Sequence, residues 1–283
     1  MSRNKDRLGL DEGPNHSDPV AAFADVGRGP LTFSTPTEFV ELPTGGRFYP
    51  ENHPLFGQQT VEIKHMTARE EDILSSKTLL KKGLALDRFM QSVLVDNNIN
   101  VQDLYVGDRN AILIAARITG YGEEYTTQVV CPSCYQTSRY TFNLEEKSTN
   151  KGGDELENIT WTQNATFVTK LPALGVDVEL RLLTGKDESY LTKMNQNKKK
   201  GNIAETSLTD QLKMTIVSVN GRTDQATINS LVNNLPAKDS RHLRTVYAQT
   251  TPNVDLKQHF ECSHCSHEAE VEVPLTAEFF WPK

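Results

Sequence analysis

Two pairs of cysteines constrain the fold of this chain more than any other feature. Cys131 and Cys134 form one C-x-x-C pair, Cys262 and Cys265 form another, and the chain has no other cysteine. The flanks also match, because apolar residues stand 11 and 13 positions after the first cysteine in both units. Each unit predicts a strand, a tight turn that carries the cysteines, and a returning strand.

Both sulfurs of a C-x-x-C turn can face one ion, and two such turns complete the tetrahedral four-thiolate shell of structural zinc sites. We therefore predict one structural zinc per chain, bound by Cys131, Cys134, Cys262 and Cys265. Since this shell leaves no open position for water, it predicts no catalysis. The two pairs are 127 residues apart, against roughly 15–20 in a compact zinc ribbon, so a folded insertion has to lie between them.

Other interpretations of the four thiols stay open at this point. Buried free cysteines, two disulfides, a redox-active pair and an iron–sulfur cluster could each use them. Three histidines lie close in sequence and could replace a thiolate, but we expect them to be exposed or outside the ligand shell: His259, His264 and His267.

Composition excludes some classes of protein. The net charge is −7, whereas nucleic-acid-binding proteins usually carry a basic excess, so a nucleic-acid partner is disfavoured. No apolar run approaches the roughly 18–20 residues that span a bilayer, and the first 30 residues lack the apolar region of a secretory signal. We expect a cytoplasmic protein with no membrane partner.

Hydrophobic periodicity and Pro/Gly breaks predict an α+β fold with a helical N-terminal unit, a zinc-ribbon-like pair of C-x-x-C β-knuckles and an α/β insertion between them. The predicted segments are a disordered tail at 1–30, an extended arm at 31–58, a helical unit at 59–122, the knuckles at 123–144 and 257–275, an α+β insertion domain at 159–256, and an aromatic C-terminal segment at 276–283.

Local signals predict individual elements of the first half. Residues 59–66 alternate as in a strand, and Thr67 and Glu70 have the spacing of a capping box before a helical region at 68–95. Gly83 is expected to divide that region, and Asp108 to be the N-cap of the next helix. A polar linker is expected at 145–158.

The second half is predicted to begin with a hairpin at 165–171 and 176–183. A short helix at 187–196 and a loop at 197–202 follow, and then helices at 206–220, 226–235 and 240–249. Asp239 and Ser240 are placed where an N-cap belongs.

Aromatic side chains in two segments need burial that an extended chain cannot give them. They are Phe48 and Tyr49 in the arm, and Phe279, Phe280 and Trp281 near the C-terminus. Either the parent domain or a partner has to cover them. We single them out as candidate partner-binding residues.

No catalytic motif is present, because the chain lacks a G-x-x-x-x-G-K-[S/T] loop, a G-x-S-x-G elbow and an H-E-x-x-H helix. The sequence therefore predicts no enzyme and no small-molecule substrate. The alternative function is that of a zinc-ribbon nucleic-acid-binding protein.

Several motifs occur in a fixed order: LPTGGRFYP at 42–50, HMTAREED at 65–72, LTG at 183–185, LPAKDSR at 235–241, then the second C-x-x-C and FFWP at 279–282. In this order they resemble the T4-type phage baseplate hub subunit family. The resemblance implies a non-enzymatic hub subunit or hub assembly factor of a contractile tail, made in the host cytoplasm. Its partners would be other baseplate and tail hub proteins, with the virion baseplate as a further location.

Overall fold

Helices and short antiparallel strands both build the fold, which confirms the expected α+β class. The computed structural model describes residues 34–152, 159–200, 206–273 and 277–280. The helices are α1 Ala68–Ser75, α2 Lys77–Lys82, α3 Ala85–Val93, α4 Val106–Tyr121, α5 Gly185–Lys200, α6 Ser207–Thr215, α7 Gln225–Asn233 and α8 Ala237–Thr250.

Short strands occur along the whole of the described chain. They are β1 Thr37–Glu41, β2 Thr60–Lys64, β3 Glu124–Val130, β4 Thr137–Asn143, β5 Ser148–Asn150, β6 Ile159–Trp161, β7 Thr166–Lys170, β8 Asp177–Arg181, β9 Ile216–Val219, β10 Asn253–Asp255, β11 Lys257–Glu261 and β12 Glu268–Glu272. A 3₁₀ turn covers Ala277–Phe280. The predicted tail at 1–30 lies outside the described residues.

The local signals of the helical region are confirmed. Strand β2 pairs antiparallel with β1, and Thr67 and Glu70 form the predicted capping box at the start of α1. Gly83 follows α2 with a φ of 67°, a left-handed conformation that favours glycine, and it separates α2 from α3.

Strands β6, β7, β8 and β9 form one antiparallel sheet in chain order. The predicted hairpin is its centre, with Phe167 opposite Leu180. The helix predicted at 206–220 is wrong in its second half, because Ile216–Val219 is strand β9 and pairs with β8. The β-branched run Ile216-Val217 favours a strand once a neighbouring edge can accept it.

Two further boundaries differ from the sequence prediction. Helix α5 continues to Lys200, so a loop beginning at 197 is wrong, while 201–205 lie outside the described residues. The predicted linker at 145–158 contains strand β5, which pairs with β10, and its residues 153–158 are likewise outside. Short strands of polar residues give no alternating pattern, so sequence reasoning missed β5.

Neither predicted aspartate is an N-cap. The N-caps of α4 and α8 are Tyr105 and Pro236, and Asp108 and Asp239 lie two residues inside their helices, fully buried. Their carboxylates bind other segments of the chain, where the helix N-terminus also favours a negative charge. They therefore hold loops against the two helices rather than starting them.

Two apolar cores fill the fold. The first core joins β1, β2, α1, α3, α4, the hairpins β3–β4 and β11–β12, and the C-terminal turn. The second core lies between the four-stranded sheet and helices α6, α7 and α8. Within the described parts of the chain, no helix has the length and apolarity needed to cross a membrane.

Candidate metal centre

The two cysteine turns have the same backbone conformation. In each, the residue after the second cysteine donates to the carbonyl of the first: Tyr135 N to Cys131 O at 3.0 Å and Ser266 N to Cys262 O at 2.9 Å. Tyr135 and Ser266 both adopt a left-handed φ, 58° and 52°. The repeat expected from matched flanks is thus present in the backbone, and each knuckle joins two antiparallel strands, β3–β4 and β11–β12.

The fold brings the four sulfurs together although 127 residues separate the pairs. All four Sγ atoms lie within 4.8 Å of one another. Two contacts cross from one knuckle to the other, at 3.8 Å between Cys131 and Cys265 and 3.7 Å between Cys134 and Cys262. The turn amides of Ser133 and His264 each donate to a sulfur at 3.4 Å.

The sulfurs differ in environment and in proton affinity. Cys131 and Cys262 are buried, Cys134 is half-buried and Cys265 is exposed. Amides of Cys134 and Ser133 lower the pKa of the Cys131 thiol to about 6. Although the His267 amide acts to lower it, local desolvation and the three neighbouring sulfurs raise the pKa of the Cys265 thiol to about 12. Four thiolates this close repel each other, so full ionisation of the cluster calls for a cation.

The donor set and spacing fit a single tetrahedral ion. Zinc–sulfur bonds of about 2.3 Å place ligand sulfurs about 3.8 Å apart at the corners of a tetrahedron, which matches the two cross-knuckle contacts of 3.8 and 3.7 Å. The histidines near the second knuckle, His259, His264 and His267, are all exposed and do not belong to this cluster. The four cysteines are therefore a possible metal site.

The arm aromatics lie against the chain itself. Tyr49 is buried and donates through its hydroxyl to Asp108 Oδ2 at 2.7 Å, and the Thr44 amide and hydroxyl donate to the same carboxylate. Phe48 is half-buried and stacks on Trp161 at 4.6 Å between ring centroids. Burial raises the pKa of Asp108 and, together with the Asp108 carboxylate, that of Tyr49.

The C-terminal turn inserts two aromatic rings into the first core. Phe279 and Phe280 are 3% and 4% exposed, and their rings meet Tyr125 and Phe89 edge-on at 5.2 and 5.0 Å. Trp281 lies outside the described residues. Partner binding by this turn and by the arm aromatics stays a prediction.

Sequence reasoning missed Arg117, one of the largest fully buried side chains among the described residues. Its guanidinium donates to the carbonyls of Phe279, Gly122 and Glu124 and lies over the rings of Tyr121, Tyr125 and Phe279. Burial lowers the pKa of Arg117. The available signal was a cation inside the otherwise apolar run AILIAARI of α4.

Comparison with known families identifies the chain. A family model described as T4 bacteriophage base plate protein matches residues 36–281, from the strand β1 region through the C-terminal turn. No significant match was found among curated proteins or among solved structures. The matched range includes both knuckles, so the cysteine cluster lies within the family region. The chain belongs to the T4 bacteriophage base plate protein family.

Proposed function

We propose that this chain is a non-enzymatic subunit or assembly factor of the phage baseplate hub, with a fold held together by one structural zinc ion. The observation that carries the proposal is the convergence of Cys131, Cys134, Cys262 and Cys265 within 4.8 Å inside a baseplate family region. Family membership supports contacts with other phage tail proteins. Synthesis in the host cytoplasm and a place in the hub are parts of the same proposal.

The spacing of the sulfurs favours one ion over a cluster of irons. In an iron–sulfur cluster the four cysteines are divided among two or more irons, so some of their sulfurs lie farther apart than around one shared ion. A 4.8 Å limit on all separations suits a mononuclear site, and a closed thiolate shell is typical of structural zinc. In such a shell the ion would hold the two knuckles together, and it would have no free coordination position for catalysis.

The protein groups around the cluster already join the two hairpins. Tyr140 packs edge-on against Phe260 at 5.1 Å, and its hydroxyl donates to His259 O at 3.2 Å. Gln258 binds the Asn143 amide and carbonyl across the same boundary. An ion held by both knuckles would therefore tie together hairpins whose inner faces belong to one apolar core.

Elemental analysis of the purified protein tests the zinc proposal. We expect about one zinc ion per chain and a marked loss of both zinc and thermal stability in Cys131→Ser. Ser263→Ala, in the second turn but outside the ligand set, is the matched control and retains both. Metal-free protein with unchanged stability contradicts the proposal.

The hub assignment is tested by isolating the protein from infected cells and identifying bound proteins by mass spectrometry, alongside purified phage particles. Association with identified hub proteins supports the proposal. Presence of this protein in purified particles distinguishes a subunit from an assembly factor. Recovery without any baseplate protein from cells that are assembling tails contradicts it.

A further inference from the structure

We propose that the cysteine cluster is also an oxidation site that forms two specific disulfides, Cys131–Cys265 and Cys134–Cys262, with hydrogen peroxide or another two-electron oxidant. Each bond would join one knuckle to the other. The reaction would therefore replace a metal link by a covalent link between the same two hairpins.

The pairing follows from two direct contacts between the knuckles. The sulfurs of Cys131 and Cys265 lie 3.8 Å apart, and those of Cys134 and Cys262 lie 3.7 Å apart. Each sulfur of one turn is therefore in contact with one sulfur of the other turn. Since each sulfur occurs once in these two contacts, both bonds can form together in the same molecule.

Each proposed disulfide combines a more accessible sulfur with a buried one. Cys265 is exposed and Cys134 is half-buried, whereas Cys131 and Cys262 are buried. Each proposed bond thus joins one sulfur that an oxidant in solvent can reach to one buried sulfur that can resolve the oxidised form. Resolution by a second thiol at contact distance is what directs sulfenic acids to disulfides.

The chemistry balances with peroxide as the oxidant. One thiolate takes an oxygen atom from hydrogen peroxide and becomes a sulfenic acid, and the other oxygen leaves as hydroxide. The opposite thiolate attacks the sulfenic sulfur, the sulfur–sulfur bond forms, and a second hydroxide leaves. Each pair of thiols loses two electrons and each peroxide ends as two waters, so two peroxides convert the whole cluster.

This inference rests on the proposed zinc site, because bound zinc holds the sulfurs in this arrangement until oxidation removes their charge. Disulfide sulfur is a poor zinc ligand, so the ion leaves as the bonds form. Unlike removal of zinc by a chelator, oxidation would then leave the knuckles joined. Zinc release and disulfide connectivity are separate readouts of the two proposals.

Peptide mapping of the native protein tests the pairing. The protein is treated with hydrogen peroxide while a chromogenic chelator records zinc release, remaining thiols are alkylated, and trypsin is added without reductant. Trypsin leaves both cysteines of the first turn in the peptide 118–139 and both of the second turn in 258–283, because the last residue of each range, Arg139 or Lys283, is its only Lys or Arg. We expect these peptides as one disulfide-linked species, with Cys131–Cys265 and Cys134–Cys262 assigned by fragmentation.

The alternatives differ from the expected species in mass or, for the other cross-knuckle pairing, in the fragment ions. Separate peptides that each contain an internal disulfide, sulfinic acids in place of disulfides, or the pairing Cys131–Cys262 overturn the inference even when zinc is released. If the purified protein holds no zinc before oxidation but still gives the linked peptides, the disulfide inference is supported and the zinc proposal is contradicted.

Two double variants give a second test. Cys134→Ser/Cys262→Ser keeps a cross-knuckle pair, and Cys262→Ser/Cys265→Ser keeps a pair within one turn. We expect the first to lose its free thiols at least several-fold faster than the second. Equal rates overturn the inference, and if either variant fails to fold, the peptide map of the native protein decides.

Discussion

Truncation of Phe280 tests whether the C-terminal turn is part of the first core. The ring is 4% exposed and meets Phe89 and Phe279 at 5.0 Å each. Phe280→Ala removes the ring from a site that is enclosed by packed side chains and leaves a cavity there. The exposed Phe39, at 71%, provides a matched Phe→Ala control.

The expected cost follows from burial and cavity formation. Burying a phenylalanine side chain is worth about 1.5–3 kcal/mol, and the loss of edge-on partners and the cavity bring a buried Phe→Ala change to about 3–5 kcal/mol. For a protein of this size that corresponds to a fall of roughly 6–20 °C in Tm. Phe39→Ala is expected to stay within about 0.5 kcal/mol of the parent.

Urea unfolding followed by far-UV circular dichroism measures both variants against the parent chain, with thermal melting as a second readout. A lower midpoint at unchanged slope indicates a change in stability alone. If Phe280→Ala unfolds at the same urea concentration as Phe39→Ala, the C-terminal turn is not part of the core. Binding of its aromatic side chains to a partner protein then explains them better.

Three further changes test other parts of the fold. Asp239→Ala removes the acceptor for the amides of Ala173 and Leu174 and is expected to cost about 2–4 kcal/mol in urea; a loss under about 0.5 kcal/mol argues against that anchor. Gly107→Ala places a Cβ against the backbone carbonyl of Pro252 and is expected to lower Tm strongly, whereas normal melting means that α4 and the β10 region are not in close contact. Burial acts to raise the pKa of the Asp187 carboxyl, but the Arg181 guanidinium lowers it below its usual value. The pair therefore stabilises the protein above the unfolded pKa of about 3.9, and this contribution is lost as the pH falls through the lower pKa of the folded state. Asp187→Asn should therefore destabilise the protein at pH 7 and converge with the parent in acid; an equal difference in urea midpoint at both pH values contradicts this assignment.

Sequence patterns predicted those elements whose signals are local. The capping box at Thr67, the break at Gly83 and the hairpin of β7 and β8 depend on neighbours within a few residues. The paired cysteines predicted a contact between distant parts of the chain. A C-x-x-C turn has one main geometry, and a second such turn elsewhere in the chain is the natural source of the other two ligands.

The misassigned elements depend on distant segments. Ile216–Val219 becomes a strand because β8 offers an edge, and Asp108 looked like an N-cap although the loop that carries Thr44 and Tyr49 binds its carboxylate. Arg117 was missed for the same reason, since its carbonyl partner on Phe279 is 162 residues away. Tertiary contacts overrode the local propensity in each case.

The central claim is that one ion links cysteines from both ends of the middle segment. Native mass spectrometry of the chain, purified without added metal and compared with Cys134→Ser/Cys265→Ser, tests it most directly. We predict a mass increment of a single zinc ion on the parent chain, lost after acid denaturation and absent from the variant. A parent chain that carries no metal while its circular dichroism and melting match a folded protein would contradict the account.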